Sequence, residues 1–113
     1  MKKKSDHKVI IVHDFKESSR RGMQDQNSIY LISLEKFMKG VKESLDKGIA
    51  FESISSLDNS KEDYIEITSD DGGGSALLLA ERLKYLDIRA TFFVVTSLIG
   101  KEGFLAESEI RYL

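Results

Sequence analysis

The stretch Tyr64-Ile65-Glu66-Ile67-Thr68-Ser69-Asp70-Asp71-Gly72-Gly73-Gly74-Ser75 decides how the rest of the chain is read. Residues 64–69 are aromatic or β-branched in alternation with polar positions, which predicts a strand. Two adjacent aspartates fall at its carboxyl end, ahead of three glycines and a run of helix formers. In parallel α/β architectures that end of the sheet is where ligands and catalytic groups gather. Neighbouring carboxylates repel one another, so such a pair marks a place where a cation or a proton-transfer task offsets the repulsion.

Upstream, Val9-Ile10-Ile11-Val12 is a continuous apolar run that reads as a strand buried on both faces, with His13 and Asp14 at its carboxyl end. Residues 16–30 are polar and aperiodic and read as a long exposed loop, with Arg20 and Arg21 solvated. Ser33 then suits an N-cap. Leu34, Phe37, Met38, Val41 and Leu45 share one helix face, and Gly48 suits the left-handed position after its end. Residues 49–54 read as a short strand and 55–63 as a polar connection. Beyond the glycines, Ser75 is the expected cap of a helix carrying Leu78, Leu79, Leu83 and Leu86. Ala90-Thr91-Phe92-Phe93-Val94-Val95-Thr96 is the strongest strand pattern, and its two phenylalanines alternate faces, which suits core packing. The order β-α-β-β-α-β, with a last helix from near Ala106, predicts an α/β fold with at least partly parallel pairing.

The 113 residues suit one domain, and 17 basic residues against 19 acidic leave a net charge of −2. Bulk electrostatics therefore point to neither nucleic acid nor an anionic membrane as partner. Without cysteine there is no disulfide framework and no thiolate metal site. The only imidazoles are His7, read as part of a flexible basic tail with Lys2-Lys3-Lys4, and His13. No segment approaches transmembrane length, and residues 9–12 are too short for the apolar region of a signal peptide. As written, the chain is expected to be cytoplasmic. Its last segment, residues 106–113, is about two helical turns with no capping signal, which suggests the front part of a larger domain.

The aspartate pair alone admits three physical readings. One carboxylate could ligate a divalent metal while the other acts as general base. Both could hold Mg²⁺ in a receiver-type acidic pocket. Or they could form a turn, with Ser75 capping a helix and no chemistry at all. A phosphate cradle on Gly72-Gly73-Gly74-Ser75 matches no established glycine-rich pattern and would place an anion beside two acids.

Ile67-Thr68-Ser69-Asp70-Asp71-Gly72, followed by Lys84-Tyr85-Leu86-Asp87-Ile88-Arg89-Ala90-Thr91-Phe92-Phe93-Val94, resembles the polysaccharide deacetylase family (carbohydrate esterase family four). That family's signature is T-F-D-D-G and then K-x-x-x-I-x-A-T-F-F-V. Ile99-Gly100, Gly103-Phe104-Leu105 and Val12-His13 are similar to further family elements, and the resemblance spans nearly the whole chain. It implies a partial (β/α) barrel, truncated after about four strands. It also implies metal-dependent hydrolysis of N-acetyl groups on an N-acetylglucosamine-type polymer, with Asp70 as general base, Asp71 as metal ligand and Zn²⁺ or a similar ion as cofactor. The sequence departs from the family at Ser69, where phenylalanine is usual, and it lacks the H-x-x-x-H motif that supplies two metal ligands. A catalytic zinc takes about three protein ligands, so the chain is expected to be inactive by itself. A non-catalytic shortened paralogue is the other expectation, with self-association through open strand edges.

Overall fold

The computed structural model describes residues 6–22, 29–53 and 63–113. In chain order the elements are β1 (Asp6–Val12), β2 (Asp14–Phe15), β3 (Leu31–Ile32), α1 (Leu34–Asp46), β4 (Ala50–Phe51), β5 (Asp63–Ser69), α2 (Ala76–Tyr85), β6 (Thr91–Phe92), a 3₁₀ turn (Thr96–Leu98) and α3 (Glu107–Tyr112). β5 lies at the centre. It pairs with β1 over its whole length, from Asp6 opposite Asp63 to Val12 opposite Ser69. Its other edge is shared, with β4 beside the beginning (Ala50 opposite Tyr64) and β6 beside the end (Ser69 opposite Phe92). Every one of these pairings is parallel, as is the separate β2–β3 pair.

Parallel register puts Ile10 beside Ile67 and Val12 beside Ser69 on one face, which α1 and α2 cover. The periodicity read from the sequence determines that packing. Leu34, Met38 and Val41 of α1 and Leu79 and Leu83 of α2 are buried against Val12, Phe15 and Ile67, and Phe37, Leu45, Leu78 and Leu86 pack around them. The Ser33 hydroxyl caps α1 by accepting a hydrogen bond from Lys36 N at 3.2 Å, and Gly48 follows its end at φ +81°. Both were legible in the sequence.

Four expectations need correction. First, residues 9–12 are not buried on both faces: Val9 is 49% and Ile11 60% exposed. They point away from the helices, and β1 has a strand partner on only one edge among the described residues. Second, the strand expected over 90–96 pairs only at Thr91–Phe92. Phe92 packs on the core, but Phe93 is half exposed and donates the last ladder bond, to Ser69 O at 2.8 Å. Third, the strand expected over 49–54 pairs only at Ala50–Phe51; Ile54 and most of the polar connection lie outside the described residues. Fourth, His7 belongs to β1. Its ring stacks on Tyr64 at 4.1 Å, and its Nε2 lies 3.2 Å from the buried Glu66 carboxylate. Lys2-Lys3-Lys4 lies outside the described residues. No described helix is long and apolar enough to cross a membrane.

Candidate functional site

Asp70 and Asp71 follow the end of β5, with Asp70 N held to Val12 O at 2.9 Å. Because β1 and β5 run in parallel and in register, His13 leaves β1 at the same level of the sheet as Asp70 leaves β5. His13 Nε2 comes within 4.0 Å of Asp70 Oδ2 and 3.9 Å of Asp71 Oδ2. The Tyr30 ring lies tilted against the imidazole, 4.7 Å between centroids. The three site residues are only partly covered, with side chains 20–42% exposed, so solvent or a ligand reaches them.

Asp71 adopts φ +76°, a left-handed conformation uncommon outside glycine. Such strain persists only where the surroundings over-determine it, and it clusters at functional sites. Here the surroundings are the three glycines. Gly72 O accepts from Leu105 N at 2.9 Å, Gly74 N donates to Gly103 O at 2.7 Å, and Ser75 N donates to Arg20 O at 2.7 Å. The backbone N–H groups of Gly74 and Ser75 are thus already bonded within the protein, which takes two of the four donors from the phosphate-cradle reading.

Ser75 is not the cap that its position suggests. It precedes α2 but makes no capping bond. Its hydroxyl instead donates to Asp14 Oδ1 at 2.5 Å and accepts from Phe15 N at 3.2 Å. Asp14 is buried. Burial raises its carboxyl above the ordinary aspartate value, the Ser75 bond pulls it down, and the neighbouring Asp71 charge pushes it up again.

Arg20 is likewise not a solvated loop residue. Its guanidinium grips the Glu109 carboxylate through two bonds of 2.6 and 2.7 Å and also reaches Phe104 O at 2.8 Å. Glu17, two residues beyond β2 and silent in the sequence, accepts from Leu34 N at 2.8 Å and Glu35 N at 3.0 Å at the start of α1. Burial alone would raise the Glu17 carboxyl, but these N–H groups hold it low. Arg20 and Glu17 therefore fasten the loop after β2 to α3 on one side and to α1 on the other.

The Arg20 contact holds the Glu109 carboxyl down at about 2, against an ordinary 4.5, with help from the Ala106 N–H. A depressed pKa means that the stabilisation is complete above the unfolded value and is lost as pH falls through the folded one. Replacing Glu109 by glutamine is expected to cost about 1 kcal/mol at neutral pH, because the pair is partly solvated. The gap from the parent protein should stay constant down to about pH 5 and close between 4.5 and 2. Thermal melts of both proteins across that range test it.

Among the described residues no three histidine, aspartate or glutamate side chains form a group able to hold a metal ion. Asp70, Asp71 and His13 meet on one rim but do not make the donor set of a catalytic zinc.

No protein-family model matches the chain, and no curated protein is similar to it in sequence. Solved structures do match. A de-N-acetylase from Aggregatibacter actinomycetemcomitans superposes at a TM-score of 0.75 with 15% identity, over 94% of this chain and 49% of that protein. A polysaccharide deacetylase from Bacillus cereus gives 0.74 with 20% identity, over 96% and 35%. The chain has the fold seen in polysaccharide deacetylases. IcaB from Ammonifex degensii gives 0.69 with 20% identity, over 96% and 50%. The chain thus spans half or less of the length of these matched structures.

Proposed function

We propose that these residues form the front portion of a polysaccharide deacetylase domain, a partial (β/α) barrel that hydrolyses N-acetyl groups on a carbohydrate polymer when complete. The observation that carries this reading is the rim itself. Asp70 and Asp71 end the central strand, His13 ends its neighbour within 4.0 Å, and the surrounding fold is that of de-N-acetylases. Asp70 accepts the proton of the attacking water. Its carboxylate is partly exposed and stands at the open end of the sheet, where water and an amide carbonyl both have access. Asp71 offers one carboxylate toward a divalent metal such as Zn²⁺, and the other ligands must come from residues beyond those described. A metal held there would supply Lewis-acid polarisation of the acetyl carbonyl.

Two assays test the proposal together. The isolated chain, given Zn²⁺ and an N-acetylglucosamine oligomer, is expected to release no acetate. A chimera in which it replaces the matching segment of the Bacillus cereus deacetylase should release acetate and lose that activity to a chelator. Zn²⁺-dependent turnover by the isolated chain would overturn the inactivity. A folded, metal-loaded chimera without turnover would overturn the deacetylase reading.

The uncovered sheet face favours a second reading, association without catalysis. Parallel sheets are normally covered on both faces, whereas Val9, Ile11 and Phe93 are half exposed here. The isolated chain is expected to self-associate at micromolar concentration, and Ile11→Lys should shift it to monomer. Light scattering that shows a monomer in both proteins would remove this reading.

A further inference from the structure

We propose that Asp14 and Ser75 are positioning residues for the aspartate pair, a buried tie that holds Asp71 in its left-handed conformation with His13 opposite. The role in hydrolysis rests on the deacetylase reading above; the geometry does not. Asp14 is 1% and Ser75 0% exposed, and their 2.5 Å hydrogen bond joins residues 61 apart in sequence. Each lies next to the rim. Asp14 directly follows His13, and Ser75 closes the turn that begins at Asp71. The tie therefore fixes the carboxyl end of β1 to the start of α2, and the strained residue lies between the two anchors.

Two local features show that the chain gives up ordinary stabilisation to make this contact. α2 goes without the side-chain cap that Ser75 would otherwise provide. A buried carboxylate is also kept beside the Asp71 charge, which is unfavourable unless its hydrogen bonds are secured. Space is made for it as well. A Cβ on Gly73 would run into Asp14 Oδ1, and one on Gly22 would lie 3.3 Å from Asp14 Oδ2. A carboxylate that served only to close the core would be better replaced by an apolar side chain. Its value lies in a directional bond that sets where the turn begins and ends.

The test uses the ¹⁵N,¹³C-labelled chain and compares Asp71 with the sheet core. In Asp14→Ala and Ser75→Ala, the Asp71 Cα shift is expected to leave its left-handed value. Exchange of the Asp70 amide, which is bonded to Val12 O, should accelerate at least tenfold, while the Ile67 amide in the middle of β5 stays protected. Asp14→Asn keeps an acceptor for the Ser75 hydroxyl and should retain both the Asp71 shift and the Asp70 protection. An unchanged Asp71 in the alanine variants would overturn the proposal, and so would equal loss of protection at Asp70 and Ile67. If Asp14→Ala does not fold, Ser75→Ala decides on the same two readings. These signals do not depend on turnover. An inactive chimera would thus remove the deacetylase reading and leave the tie standing, and an unmoved Asp71 would do the reverse.

Discussion

Asp70→Asn in the active chimera is expected to slow acetate release by about 10²–10⁴-fold, the usual worth of a positioned general base. Asparagine keeps the size and polarity of the side chain but cannot take a proton, so folding and metal content should stay at parent levels. Asp71→Asn should behave differently, because a weakened ligand lowers the metal content first and the rate with it. Measuring bound Zn²⁺ beside the rate separates the two roles. If Asp70→Asn retained more than about a tenth of the rate, the base would have to be another group. His13, within 4.0 Å of both carboxylates, would then be the first candidate.

The largest effect on stability is expected at Gly73. Its added Cβ would fall well inside van der Waals contact with Asp14 Oδ1, and the carboxylate has nowhere to retreat because Ser75 and Gly22 enclose it. Overpacking of this kind costs about 1–3 kcal/mol, and in a domain of this size that lowers Tm by about 5–15 °C. Gly40 is the control. It lies inside α1 with nothing within 4 Å of an added Cβ, so Gly40→Ala should stabilise by about 0.5–1 kcal/mol. If Gly73→Ala melted with the parent protein, the Asp14–Ser75 tie would be too loose to hold the rim.

The close packing at Gly73 also shows why the glycine run was hard to interpret. In the sequence Gly72-Gly73-Gly74 is compatible with a flexible turn or an anion cradle, since glycine permits both. The folded chain uses it for close approach. Gly73 makes room for Asp14, and Gly74 does so for Arg20, which arrives from the loop after β2. No local pattern records that neighbour. Ser75 failed as an expected cap for the same reason, because its partner Asp14 is 61 residues away. Arg20 was misread too, since its partner Glu109 lies 89 residues away on the last helix.

The face of β1 was misjudged by a different route. A run of four β-branched residues is what a strand covered on both sides contains, and the composition is correctly strand-like. Coverage is a property of what packs on the sheet, and here the helices pack on one side, leaving Val9 and Ile11 exposed. The shortness of β6 has a similar origin. Residues 90–96 have the propensity for a longer strand, but pairing ends where β5 itself ends at Ser69.

What the sequence alone determined is what depends on near neighbours. Alternation gave the central strand, helical spacing gave the faces of α1 and α2, and the position of Asp70-Asp71 after that strand gave the two acids of the rim. The tertiary structure alone decided what the rim is made of. It brought His13 level with the acids through the β1–β5 register, twisted Asp71 to φ +76°, and buried Asp14 and Ser75 behind them. The physical reason is range. Propensity and periodicity act over a few residues, whereas these contacts join segments about sixty residues apart that only parallel strand pairing brings together.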